Sequence, residues 1–317
     1  MIERLGILGS PDSWYVKDLR RAANLRDKID IAVLSFAELA VELDGTMPCA
    51  VTSRIRPPSD VAPAAIDKTP VAIDQLDALI VRTMPLGSLE QVIFRMDALQ
   101  VAEACGVVVA NPPRTLEVAI DKWLTLHRLK LAGLPIPPTI ACQDRQSALI
   151  AFESLGGEVL VKPLFGGEGR GIIRVSDRDM AWRVFGSLEQ LGQVLYLQKF
   201  LPHLGYDIRV LMIGNNILSV KRVAPSGQWR TNLSQGSVAE SHKITNEQLD
   251  LALQVHTVLG GCMLGIDLLP TVDGQLVVLE VNAVPGWRGT AAALGVDIAS
   301  LVLDTLDDLV GEGTELR

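Results

Sequence analysis

The sequence predicts a mixed α/β protein: α/β in its first third and α+β beyond it. Three observations predict this. Short apolar runs alternate with helical stretches up to about residue 111, as in a parallel sheet covered on both faces. Around residues 158–176 two strand-like runs flank a glycine-rich loop with no helix after it. From residue 194 onward strand-like runs dominate.

Residues 4–8 (RLGIL) read as a buried strand broken by Gly9, Ser10 and Pro11, with a helix following to about Leu25. IDIAVLSF is a second strand and DALIVR, ending at Arg82, a third. A connector with Pro57, Pro58, Pro63 and Pro70 lies between them. Residues 88–104 carry helical periodicity, and GVVVANP is a strand stopped by Pro112 and Pro113. Residues 1–111 are therefore expected to form a small α/β domain. A second segment, 112–187, contains the helix DKWLTLHRLKLAG, ended by Gly133 with Pro135 beyond it. EVLVKPL and IIRVS form a hairpin-like pair around FGGEGRG. A third segment, 188–317, holds VLYLQKFL, DIRVLMIG, NILSVKRVA, GIDLLPT and LVVLEVNA, with helices near 245–260 and 297–311.

The 317 residues suffice for two or three domains. A net charge of −8 and a pI near 5.1 argue against nucleic acid as a general partner. Cys49, Cys105, Cys142 and Cys262 form no CxxC pair, so reduced thiols in a cytosolic protein are expected. His127, His203, His242 and His256 lack metal-ligand spacing. Neither a signal peptide nor a membrane span is predicted, and the expected location is the cytoplasm.

Three constellations carry chemistry. The first is the loop Phe165 to Gly171. Its glycines let backbone N–H groups approach a phosphate, and Arg170 adds charge. It is neither a Walker A motif nor a Rossmann fingerprint, and taken alone it reads sooner as a flexible hairpin turn. Lys162, inside the apolar strand before the loop, needs an anion or a route to solvent. Lys122, at the start of a helix, is a second candidate or a solvated helix charge. The second constellation is Asp267, Glu280 and Asn282. Glu280 and Asn282 share a strand face, and the short TVDGQ link makes a hairpin with the Asp267 strand. Hard oxygen ligands without His or Cys suit Mg²⁺ (Mn²⁺ is the substitute). The alternative is strand-end polar groups bonded to nearby loops. The third is cationic: Arg209, Lys221, Arg222 and Arg230 alternate with apolar neighbours, which predicts one basic sheet face for phosphates and a carboxylate. Arg209 reads equally well as the partner of a neighbouring acid.

Lys122, Lys162 with its glycine loop, LQKFLP, YDIRV, KRVA, RTNL, GIDLL and LEVNAVPG occur in one order. In this the sequence resembles the ATP-grasp superfamily, and is most similar to its RimK-like α-L-glutamate ligases. The resemblance covers roughly residues 100–310, and the N-terminal segment resembles the domain that precedes the grasp. It implies two subdomains clasping ATP. Lys122 and Lys162 would contact ATP phosphates or the adenine edge, and the loop Gly166, Gly167, Glu168, Gly169, Arg170 and Gly171 would close over the phosphates. Gln198, Lys199, Phe200 and Leu201 resemble the hinge that meets adenine, although relatives often have glutamate in place of Gln198. Asp207 matches a position that binds ATP through its ribose. Arg222 resembles the arginine that steadies the transferring phosphoryl group. Arg230 and Asn232 match a nucleotide- or substrate-contacting stretch, and Asp267, Glu280 and Asn282 match the magnesium ligands.

The implied chemistry is phosphorylation of a carboxylate by ATP, then attack by an amine, with Lys162 and Arg222 as the catalytic pair. The NAVPGWRG run resembles ligases of tetrahydromethanopterin-type cofactors, which implies glutamate addition to such a cofactor; a peptide or protein terminus is the other acceptor the family uses. There Arg288 would reach an acidic substrate and Trp287 would stack on a ring, or both would belong to a packed turn. Dipeptide, D-alanine–D-alanine and glutathione-type ligases are the alternatives among enzymes, and a non-catalytic ATP-binding regulator is the alternative outside them. The family implies a homo-oligomer, dimer or tetramer.

Overall fold

The computed structural model describes residues 1–26, 29–42, 50–52, 71–167 and 169–315. The proline-rich connector, Cys49 and Glu168 lie outside the described residues.

The N-terminal sheet is parallel, as alternating strands and helices require. It contains β1 (Arg4–Leu8) and β2 (Asp30–Leu34), then, past the antiparallel ribbon of β3 (Ala40–Glu42) and β4 (Ala50–Thr52), β5 (Ala78–Val81) and β6 (Val108–Ala110). Their order is β2-β1-β5-β6. Both faces are buried. Leu5, Ile7, Ala78 and Ile80 face α1 (Trp14–Ala23), whose first turn Ser13 caps by accepting from the Val16 N–H. Leu8, Leu34, Leu79 and Val81 face α2 (Leu89–Ala104), which opens with a Ser88/Gln91 capping box.

Two helices, α3 (Pro113–Ile120) and α4 (Lys122–Leu131), lead to the second sheet. There β7 (Thr139–Cys142), β8 (Val159–Lys162), β9 (Ile173–Val175) and β10 (Leu195–Lys199) pair in the order β7-β10-β8-β9, all antiparallel. The glycine loop joins β8 to β9, the expected hairpin-like arrangement. Two helices, α5 (Arg145–Ser154) and α6 (Arg178–Gln190), cover one face. Val159, Val161, Leu195 and Leu197 pack there against Phe152 and Phe185. Period-two alternation sends Leu160, Lys162, Tyr196 and Gln198 to the other face. The strand β10, read from sequence with the third segment, thus hydrogen-bonds within the second sheet; that pairing spans a helix and leaves no local signature.

The third sheet is antiparallel: β11 (Tyr206–Ile213), β12 (Asn216–Val223), β13 (Val238–Ser241), β14 (Met263–Pro270) and β15 (Leu276–Asn282), in the order β13-β12-β11-β14-β15. Ile208, Val210, Met212, Ile266 and Leu268 face α7 (Asn246–Leu259) and the first sheet's core. The opposite face changes character along β11. Leu211 and Ile213 lie under α9 (Ile298–Glu315), which follows the short α8 (Arg288–Leu294), while Asp207 and Arg209 occupy the other end. Asn111, fully buried, joins the sheets: its Nδ2 donates to Met263 O at 2.6 Å and Ala283 O at 2.5 Å, and its Oδ1 accepts from Met263 N at 2.8 Å. No single described helix is long and apolar enough to cross a membrane.

Candidate active site

An open cleft lies between the second and third sheets, with about 630 Å³ of empty space that includes its mouth to solvent. Its apolar lining includes Leu160, Phe200, Leu201, Trp229, Leu269 and Leu279. Its polar lining includes Lys162, Asp207, Arg222, Arg230, Asn232, Asp267 and Glu280. An adjoining smaller cleft shares Lys162, Leu279 and Glu280 and adds Lys122 and Tyr196.

The register of the third sheet builds the acidic floor. Asp267 is opposite Glu280, and Gly265 is opposite Asn282, so the three oxygen-bearing side chains share one face. Asp207 and Arg209 on β11 and Arg222 on β12 join that face. Arg222 donates to Asp207 through Nε at 2.7 Å and Nη2 at 2.5 Å, and its Nη2 lies 2.7 Å from Asp267. Arg209 holds Asp267 through Nε and, at 3.0 Å, Nη2. Thr231 donates to Asp207 at 2.5 Å. Burial alone would raise the Asp267 carboxyl, but Arg209 and Arg222 outweigh it and hold it below the usual range. Asp207, with one arginine and Asp267 nearby, is held above its usual range by burial. For Arg222, burial opposes the charge while Asp267 and Asp207 keep it locked in the protonated form. Asp207 is fully buried, with Oδ1 accepting from Arg222 and Oδ2 from Arg222 and Thr231.

Glu280 is different. It lines both clefts, yet no described side chain forms a hydrogen bond or ion pair with its carboxylate. Asn282 Oδ1 accepts only from the Val284 N–H, at 2.8 Å. Among the described residues no three His, Cys, Asp or Glu side chains form a metal cage. Two carboxylates and an amide oxygen still fit Mg²⁺, which takes few protein ligands and completes its shell with water and phosphate.

Lys162 is 7% exposed and donates to Gln198 Oε1 at 2.6 Å. Its partner is neutral, and burial pushes the ammonium down to about 8. Gln198 also donates to Thr139 Oγ1 at 3.2 Å, so its side chain is turned to the lysine and the strand edge. Lys122 donates to Leu164 O at 3.4 Å and to Gly166 O, and burial lowers its pKa as well. Arg230 Nη2 donates to Ile172 O at 2.9 Å, with its guanidinium over Trp229. The loop is therefore held from both sides by cations bonded to its carbonyls. Gly169 sits at φ +71°, where a Cβ would lie 2.5 Å from Asn232 Oδ1, so the loop closes onto Asn232 only with glycine there. At the hinge, the Lys199 and Phe200 N–H groups donate to Pro138 O and Glu158 O. The Leu201 N–H has no partner among the described residues.

Three residues expected at this site lie elsewhere. Lys221 follows the strand alternation to the opposite face from Arg222, with its ammonium 4.1 Å from the Tyr206 ring centre. Trp287 is fully buried under Arg82, so its ring is not available to a ligand. Arg288 is exposed, 5.7 Å from the Trp14 ring centre. Trp229, Leu269, Leu279 and Thr231 line the cleft without having been singled out. Only Thr231 carried a signal, its place between Arg230 and Asn232.

The model of the RimK-like ATP-grasp domain matches residues 119–306. The tetrahydromethanopterin:α-L-glutamate ligase of Methanosarcina acetivorans is 29% identical, over 98% of this chain and 100% of its own. The enzyme of the same name from Methanocaldococcus jannaschii is 30% identical, over 74% of this chain and 80% of its own. Among solved structures, the ATP-grasp ligase PsnB complexed with minimal precursor, Mg and ADP has a TM-score of 0.69 at 21% identity, covering 96% of this chain and 97% of that one.

Proposed function

This chain belongs to the RimK-like ATP-grasp family, and we propose that it is an α-L-glutamate ligase acting on a small acidic cofactor of the tetrahydromethanopterin kind. The observation that carries the reading is the cleft itself: apolar and cationic side chains line it together, and Glu280 has no side-chain partner among the described residues. Counting Asp207, Asp267 and Glu280 against Lys122, Lys162, Lys199, Arg222 and Arg230 leaves an excess of cations, which suits nucleotide phosphates. ATP enters with adenine against the apolar lining, where the free Leu201 N–H meets it. Lys122, Lys162 and the loop Gly166–Gly171 hold the phosphates, and Arg230 and Asn232 flank them. Glu280 and Asn282, with Asp267, would hold magnesium. When bound, that ion neutralises charge on the β- and γ-phosphates.

The acceptor carboxylate takes the γ-phosphoryl group, giving an acyl phosphate and ADP. The amine of L-glutamate then displaces phosphate and forms the amide. Arg222 and Arg209 provide the positive field for the acyl phosphate; Arg222 Nη1 is the nitrogen its acid partners leave unused. This positions and stabilises without a covalent enzyme intermediate. The protein acts in the cytoplasm as a homo-oligomer. Purified protein with ATP, Mg²⁺ and L-glutamate is expected to release ADP when a tetrahydromethanopterin acceptor is added. Turnover with a peptide terminus, a dipeptide or D-alanine instead would reassign the acceptor, and tight ATP binding without ADP release in every mixture would reject the ligase.

A further inference from the structure

Arg82 is a buried cation outside the cleft and without an acid partner among the described residues. It follows β5, is 7% exposed, and donates through Nη2 to Pro285 O at 2.9 Å. Its Nε and Nη1 are buried and have no hydrogen-bond partner. The guanidinium carbon lies 4.1 Å from the Trp287 ring centre and 4.8 Å from that of Tyr15. Aromatic faces attract the charge but supply no lone pairs for its N–H groups. Asp18, the acid on this cluster, is committed to Trp287 Nε1 at 2.9 Å and to Arg21.

The position has a topological meaning. From β1 the chain runs to β2 on one side and returns to β5 on the other, so the strand order reverses between β1 and β5. In open parallel sheets, ligands bind outside the carboxyl ends of the strands at such a point. Arg82 follows the carboxyl end of β5, beside Gly9 after β1, where a Cβ would lie 3.3 Å from Arg82 Cβ. The first turn of α1, the positive end of its dipole, carries Tyr15 into the same cluster. Ser10, Thr83 and Arg288 are exposed around it. Gly286 lets Tyr15 close in, since a Cβ there would fall 2.5 Å from the tyrosine oxygen.

We infer that Arg82 is the binding point for a carboxylate of the amino-acid substrate, at the carboxyl ends of β1 and β5. The inference rests on the glutamate-ligase reading. L-glutamate that reacts through its amine keeps both carboxylates charged, and each needs a cation not already serving phosphate. Pro285, which Arg82 bonds, is three residues beyond Asn282, so the Cα atoms of those two residues are at most about 11 Å apart. In this proposal the amine of an amino acid anchored on Arg82 is turned toward the acyl phosphate.

The test uses the full chain, with Arg82→Met and Arg82→Lys. With L-glutamate varied, Arg82→Met is expected to raise its KM at least thirtyfold while the KM for ATP stays within twofold. Arg82→Lys, which keeps the charge and loses the fork, falls between. A merely structural arginine would leave the KM for L-glutamate unchanged, which overturns the inference. A separate arm needs no turnover. Glutarate, a plain dicarboxylate, is expected to raise the melting temperature of the wild type, and to raise it much less in Arg82→Met, or in Arg82→Lys if the first variant does not fold. Equal shifts in wild type and variant, or no shift in the wild type, overturn the site. Loss of glutamate turnover in the wild type with an intact, Arg82-dependent glutarate shift would instead refute the function and keep the site.

Discussion

Lys162 offers the most quantitative prediction. In the free protein burial holds its ammonium at about 8, against 10.5 for an exposed lysine, because Gln198 is neutral. Phosphates arriving beside it restore the charge. Binding of MgATP should therefore take up a proton: about 0.5 per site at pH 8, about 0.9 at pH 9 and about 0.1 at pH 7. Affinity for MgATP is full below pH 8 and falls as pH rises above it, by roughly fivefold between pH 8 and 9, or about 1 kcal/mol. Titration calorimetry in two buffers of different ionisation enthalpy measures the uptake directly. Lys162→Met should abolish it. Uptake near zero at both pH 8 and pH 9, or undiminished uptake in the variant, would refute the reasoning. The same shift sets the sign for stability. The folded pKa lies below the unfolded one, so the charge penalty is present below pH 8. It is relieved as pH rises from 8 to 10.5, by up to about 3 kcal/mol in the ligand-free protein.

Glu280→Gln should fold normally, since no described partner is lost, yet turn over at least about 100-fold more slowly, a deficit of ~3 kcal/mol read from steady-state ADP release. Arg222→Ala should cost about 3–5 kcal/mol in urea unfolding, because it leaves Asp207 and Asp267 buried with too little positive charge; an unchanged midpoint would contradict the buried network. Asn111→Ala removes three hydrogen bonds to backbone groups and a fourth from Cys262 Sγ, and should cost about 2–4 kcal/mol by the same assay; a cost under about 0.5 would mean the joint carries little.

Much of the site was legible because strand alternation is local. Glu280 and Asn282 are two apart, and their common face follows from the period of two alone. Their convergence with Asp267 needed only one tight hairpin. The parallel N-terminal sheet was equally legible from alternating apolar runs and helices. What stayed hidden depends on contacts between distant segments. Gln198 meets Lys162 across 36 residues because β10 inserts between β7 and β8, and nothing in LYLQK announces that partner. Arg209 and Arg222 were readable as cations, but their capture by Asp267 and Asp207 follows from the β11–β14 and β11–β12 registers. Lys221 was misplaced by treating adjacent strand residues as one basic face, although the alternation that joined Glu280 to Asn282 separates Lys221 from Arg222. Arg82 ended an apolar strand without remark, and its missing counter-charge is visible only once Trp287 and Tyr15 enclose it.

The central claim is that an acceptor carboxylate is activated as an acyl phosphate. An acceptor labelled with oxygen-18 in its carboxylate tests this directly, with the released phosphate read by phosphorus-31 NMR during turnover with ATP and L-glutamate. The account predicts one labelled oxygen in each phosphate formed. Amide product accompanied by unlabelled phosphate, or by AMP, would contradict it.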